Sequence, residues 1–204
     1  MRKSFKGESY FNIKGLLLFF IIIMLLLINA ATVFAEPFLE EPGKLNLFFS
    51  WDHVGSGSFG DNSIKSYTGS FCGIAFPVGF ATVGLKTTFD TSEGYYEIFS
   101  DFNSNPNLMT SISFLHAKDK SDNGVGIFRV GAFRPIMTDQ AGGLGLLLGP
   151  GLSVISSNNE TNLSMFLEAK SKIYFMEDSF VYANGLFDFM YKSGNLELGV
   201  GFSY

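Results

Sequence analysis

From Lys44 to Tyr204 the chain repeats one device: stretches of about ten residues with apolar side chains at alternate positions, separated by clusters of Gly, Asn, Asp, Ser and Pro. The closing stretch LELGVGFSY shows it most plainly. Leu196, Leu198, Val200, Phe202 and Tyr204 share one parity, and Glu197, Gly199, Gly201 and Ser203 the other. Successive strand side chains point to opposite faces, so such a segment has one apolar face and one small or polar face. Beyond Pro42 no helical period of useful length interrupts the series. This excludes bundles and α/β folds and leaves an all-β chain.

The strand segments follow one another in order. KLNLFFSWD places Leu45, Leu47, Phe49 and Trp51 on one face and leads into the loop HVGSGSFGDNS. SYTGSFCGIAF shows no clear face; GFATVGLKTTFD sets Ala81, Val83, Leu85 and Phe89 against Thr82, Gly84, Lys86 and Thr88. After TSEG, YYEIFSDF opposes Ile98 and Phe102 to Glu97 and Asp101, and NSNPN breaks the chain before LMTSISFLHA. KDKSDNG precedes VGIFRVGAF, and RPIMTDQAG reads as the connection to GLGLLLGPGLSVI, whose even-numbered leucines oppose glycines. SSNNE leads to NLSMFLEAKSKIYF, MEDS to FVYANGLFDFMY, and KSG to the terminal strand. The expectation is about ten strands joined as consecutive antiparallel hairpins, with eight as the alternative, because SYTGSFCGIAF and the stretch around Ile127 are the least clearly patterned.

Two solvents fit an alternating strand. In a soluble sandwich the apolar face meets a second sheet, and strands average roughly five or six residues. Here they run nearer the roughly nine to eleven needed to cross a bilayer at a tilt. The polar faces mix isolated charges with Gly, Ser and Thr, where a surface facing bulk water would carry dense Lys and Glu. A narrow closed barrel needs that mixture, because small residues make room for long side chains opposite them. The parity places Asp52, Lys86, Glu97, Asp101, Arg129, Glu168, Lys170, Lys172, Asp188 and Glu197 inside, with both signs present for pairing. Trp51, Tyr67, Tyr96, Tyr191 and Tyr204 fall near strand ends on the outer face, where amphipathic rings suit a lipid interface.

The N-terminus adds an address. Arg2, Lys3, Lys6 and Lys14 precede the apolar run GLLLFFIIIMLLLINAATVFA, which ends in the small-x-small pattern Val33-Phe34-Ala35. The pattern predicts a secretory signal over residues 1–35, a short periplasmic segment over 36–42 and a barrel over 43–204. Of 14 basic and 19 acidic residues, removing the four basic residues and Glu8 leaves ten against eighteen, a net charge of −8. That acidity offers nucleic acid no electrostatic footprint. The lone Cys72 permits no internal disulfide and reads as a small apolar strand residue.

Glu197-x-Gly199-x-x-Phe202-x-Tyr204 resembles the C-terminal assembly signal of bacterial outer-membrane β-barrel proteins, and with the leader and the hairpins the resemblance spans the mature chain. In size it is similar to the small barrels of the OmpX, OmpW and OmpA-barrel groups. The resemblance implies an integral, Gram-negative-type outer-membrane, transmembrane up-and-down barrel. Its implied partners are outer-membrane lipids, the barrel-assembly machinery and periplasmic chaperones.

No catalytic, cofactor-binding or metal site is expected. The His-x-Ser pair of the barrel lipid A deacylases is absent, and two histidines with one cysteine have no metal spacing. Asp52-His53 resembles the acid and histidine of the ten-stranded outer-membrane proteases, yet neighbouring strand residues face opposite ways, so the two cooperate only if His53 lies in a loop. GSGSFG and GLGLLLGPG lack the lysine and helix of a phosphate loop. The expected function is a barrel with a side-chain-filled lumen and a structural or surface-interaction role. The alternatives are a narrow, porin-like channel for a small or apolar ligand, and a secreted or periplasmic β-sandwich binding module.

Overall fold

The structure, a computed structural model, describes residues 44–59, 62–64, 66–89, 94–105, 107–118, 124–138, 144–157 and 160–204. The expected signal over 1–35, the segment 36–42 and residue 43 lie outside them.

Alternation folds as expected into an antiparallel sheet that closes on itself. In chain order the strands are β1 (Asn46–Val54), the short β2 (Gly57–Phe59) and β3 (Asn62–Ile64), β4 (Tyr67–Val78), β5 (Ala81–Thr88), β6 (Gly94–Asn105), β7 (Leu108–Lys118), β8 (Gly124–Thr138), β9 (Leu144–Ser157), β10 (Glu160–Met176), β11 (Ser179–Asp188) and β12 (Ser193–Ser203). Each of the ten long strands pairs with its chain neighbours, and β1 pairs with both β4 and β12, so no edge remains. The closing seam runs from Asn46 opposite Ser203 to Val54 opposite Asn195, and mutual bonds between the Leu45 and Tyr204 amides and carbonyls, 2.7 and 2.8 Å, extend it. Closure leaves the barrel sheet without an open edge, which is the condition for a sheet in hydrocarbon.

The connections sort by end. Gly79-Phe80 and Glu177-Asp178 make two-residue turns at the end that holds both ends of the barrel, called here the termini end. Gly79 has φ of 61°, a left-handed conformation that favours glycine. At the opposite, loop end, where the sequence predicts only the loop HVGSGSFGDNS, β2 and β3 form a small hairpin that ends at Ile64. The hairpin leans on the β11–β12 turn through Ser58 N–H to Tyr191 O, 3.2 Å.

Two boundaries differ from expectation. β8 continues through Arg134–Thr138, taken as connection, because a register shift between Pro135 and Met137 disrupts the alternation without ending the ladder. β11 stops at Asp188, so Phe189–Tyr191, which the alternation predicts as strand, form the turn together with Lys192 at φ of 52°.

The exterior carries the apolar parity. Phe49, Trp51, Leu85, Ile98, Phe114, Phe128, Leu167, Leu198 and Val200 are all exposed. So are Tyr96 and Tyr204, as expected for the outer face, whereas Tyr67 and Tyr191 are not on it. Tyr67 stacks on Tyr95 at 6.2 Å between ring centroids, and Tyr191 is 1% exposed. Position near a strand end does not settle parity, and Tyr191 lies in a turn that folds inward.

Candidate functional site: the barrel lumen

Five large rings on the inward parity sit directly opposite glycines. Phe48 faces Gly73, Phe99 faces Gly84, Phe166 faces Gly151, Tyr182 faces Gly199 and Phe180 faces Gly201 across neighbouring strands. A methyl group added at any of these glycines would fall 2.0–2.4 Å from the facing ring. The ring therefore occupies the space a side chain would take. This is why glycine shares the polar parity: a narrow barrel admits large rings only where the facing strand has none.

The loop end of the lumen is filled. Phe71, Tyr95, Leu115, Ile127, Ile155 and Tyr191 are all at most 7% exposed and pack as one cluster, with Tyr67, Ala117, Val125 and Met190 against it. Burying a ring such as Phe71 or Tyr191 contributes on the order of 1.5–3 kcal/mol. Asp188 positions Tyr191. Its Oδ1 accepts the N–H of Met190 (3.1 Å), the N–H of Tyr191 (2.9 Å) and the hydroxyl of Ser164 (2.5 Å), while Oδ2 accepts the hydroxyl of Ser153 (3.3 Å). A buried carboxylate is tolerated only when its lone pairs are used in this way.

Below this cluster stands the main charge network. Lys86 Nζ lies 2.7 Å from Asp52 Oδ2, 3.1 Å from Glu197 Oε1 and 3.5 Å from Glu97 Oε2, and 5.1 Å from the centre of the Phe71 ring. Glu197 also accepts from the Tyr182 hydroxyl (3.0 Å) and Asn184 Nδ2 (3.1 Å). Lys170 lies 3.6 Å from Asp101 and over the Phe133 ring, and Lys172 sits 3.8 Å from the Phe180 centroid. A cavity of about 200 Å³ remains, lined by Lys86, Glu97, Asp101, Arg129, Glu168, Lys170, Lys172 and Glu197. Its lining reaches Asn46, Ala75 and Phe180, inward residues toward the termini end.

The ten residues assigned to the interior by parity thus all turn inward. Asp52 stands behind Lys86, and Asp188 belongs to the loop-end cluster. The residues of the assembly-like motif divide by parity: Glu197 and Gly199 lie in the lumen and Phe202 and Tyr204 on the exterior. Asp52 and His53 do not cooperate, because His53 belongs to β1 and faces outward, with its Nδ1 2.8 Å from Thr68 Oγ1. His116 packs against the exterior ring of Tyr96, and Cys72, opposite Phe49, is half-buried. Sequence reasoning missed the lumen rings, although their signal, an aromatic on the polar parity, is present at Phe48, Phe166 and Phe180.

An exterior of contiguous exposed rings and aliphatic groups is untenable in water, and a closed ladder around a polar lumen is what hydrocarbon requires. These features define the class: the chain is an integral membrane β-barrel of the outer-membrane type, with ten membrane-spanning strands.

No protein-family model matches the sequence, and no curated protein is similar to it. Solved structures resemble the fold. Neisserial surface protein A aligns at 11% identity over 78% of this chain and 97% of its own, with a TM-score of 0.42. The N-terminal β-barrel domain of Pseudomonas aeruginosa OprF aligns at 15% identity over 78% and 97%, at 0.43. The translocator domain of autotransporter NalP from Neisseria meningitidis aligns at 10% identity over 94% and 96%, at 0.47. At such identities and scores the likeness carries nothing about activity, and the membrane assignment rests on this chain's own exterior and closure.

Proposed function

We propose that the protein is a structural or surface-interaction barrel of the outer membrane whose lumen does not conduct. The observation that supports this most directly is the buried cluster of Phe71, Tyr95, Leu115, Ile127, Ile155 and Tyr191, which fills the loop end of the lumen. A passage there would have to separate side chains packed to interior density, and the Asp188 bonds hold the turn that carries Tyr191 in place. No enzymatic role is proposed: the strongest acid and histidine pair in the sequence stands on opposite faces of β1.

The test is planar-bilayer conductance of the refolded full chain. A silent trace is expected; stable unitary steps would replace this reading with a narrow channel. Replacing Tyr191 with Ala sharpens the result, since it removes a ring of the cluster that is only 1% exposed and is expected to admit brief openings that the wild type lacks.

A further inference from the structure

The charges around the cavity are not mixed at random. On the consecutive strands β12, β1, β4, β5 and β6 the lining charges are Glu197, Lys86, Glu97 and Asp101, a formal sum of −2. On the other half of the barrel, β7 to β11, they are Arg129, Glu168, Lys170 and Lys172, a formal sum of +2. The cavity therefore has a negative wall facing a positive wall across low-dielectric surroundings, where such fields are weakly screened.

The Asp101–Lys170 pair joins the two walls and takes one charge from each, which reduces the division without changing its sign. Lys86 is shared among three carboxylates, and Lys170 meets Asp101 and donates to the Ser111 hydroxyl. On this wall Arg129 and Lys170 both attract the Glu168 carboxylate. The Arg129 guanidinium presents a planar fork of donors suited to a second carboxylate. A singly charged guest is attracted by one wall and repelled by the other, whereas a guest carrying both charges is attracted by both. Between the walls, the rings of Phe99, Phe133 and Phe180 offer apolar contact for a short carbon skeleton.

We propose that the lumen is a binding site for a small zwitterion, with its ammonium toward Glu97 and Glu197 and its carboxylate toward Arg129 and Lys172. The cavity of about 200 Å³ restricts the guest to roughly the size of a single free amino acid or ω-amino acid. Because the loop end is filled, the guest enters from the termini end.

The experiment is calorimetric titration of the refolded full chain in detergent with 4-, 6- and 8-carbon ω-amino acids. The fatty acid and alkylammonium of each length serve as single-charge controls. At one length or more the ω-amino acid is expected to bind at least tenfold more tightly than both controls. Arg129→Gln should remove most of its advantage over the alkylammonium, and Glu97→Gln most of its advantage over the fatty acid. Equal affinities, absence of binding at all three lengths, or an advantage untouched by Arg129→Gln would overturn the proposal. Should a variant fail to fold, the wild type labelled with ¹³C in arginine supplies the answer: the Arg129 Cζ resonance must move with the ω-amino acid and stay still with the alkylammonium. A conducting trace in the bilayer would overturn the closed-lumen reading and leave this titration as the test of the site.

Discussion

The ring-and-glycine pairs permit one substitution, Gly to Ala, to be graded from geometry alone. At Gly151 a new Cβ would lie 2.0 Å from Phe166 Cζ, against the 3.4 Å at which ordinary contact begins, so the ring tip must retreat by about 1.4 Å. Phe166 is 2% exposed and packed against Met109, Phe133 and Leu147, so its retreat forces an overpacked site, which costs about 1–3 kcal/mol. At Gly149 the Cβ would meet the Ala132 carbonyl oxygen at 1.9 Å and Phe133 Cα at 2.7 Å. Backbone cannot rotate aside, so the cost there should equal or exceed the upper end of that range. At Gly185 no atom lies within 4 Å and φ is ordinary, so Ala should be neutral or should stabilise by up to about 1 kcal/mol through the unfolded chain.

The assay is urea unfolding of the refolded chain in lipid or detergent, followed by the fluorescence of Trp51, the single tryptophan. Stability should fall in the order Gly185→Ala, Gly151→Ala, Gly149→Ala. Phe166→Leu, destabilising alone, should recover part of the loss caused by Gly151→Ala when the two are combined. A Gly185→Ala variant as unstable as Gly151→Ala, or additive losses in the double variant, would refute the idea that rings take the space of absent side chains.

Three further outcomes are expected. Lys86→Met leaves Asp52, Glu97 and Glu197 without their shared cation and should cost about 3–5 kcal/mol in the same unfolding assay, with partial recovery on adding Asp52→Asn. On the lipid face, Leu198→Arg should cost about 2–4 kcal/mol if the residue lies near the bilayer midplane, while the neighbouring Gly199→Ala should fail by clash with the Tyr182 ring, an injury that Tyr182→Leu relieves and that leaves Leu198→Arg untouched. With Cys72 replaced by Ser, a cysteine at Ser66 on the loop end should react with a membrane-impermeant maleimide on intact cells and one at Asp178 on the termini end should not; the reverse pattern would invert the barrel.

Fold class, the ten long strands and the inward charges were legible because alternation reports a face wherever one side meets a uniform solvent. β12 is the clearest case, with six small or polar residues inside and the apolar set outside. β4 hid its face because both parities mix sizes: Gly69, Phe71, Gly73 and Ala75 turn inward while Ser70, Cys72, Ile74 and Phe76 turn outward. Partners across the lumen were not legible at all. Parity fixes register only to within an even shift, so nothing in the order of residues said that Lys86 would meet Asp52 and Glu197 together, or that Phe166 would lie over Gly151. Tyr191 escaped for another reason: its direction is set by the Asp188 bonds to the turn, which belong to no periodic pattern.

Because each ring and its facing glycine share one volume, neither can drift independently. A descendant that gains a side chain at Gly201 must first lose the ring at Phe180, and one that trims Phe180 opens a void until Gly201 grows. Substitution histories at Phe48 and Gly73, Phe99 and Gly84, Phe166 and Gly151, and Tyr182 and Gly199 should therefore be coupled in pairs. Strand-to-strand covariation at these positions would reveal the hydrogen-bond register of four of the barrel's ten seams in sequences too divergent to align by residue identity.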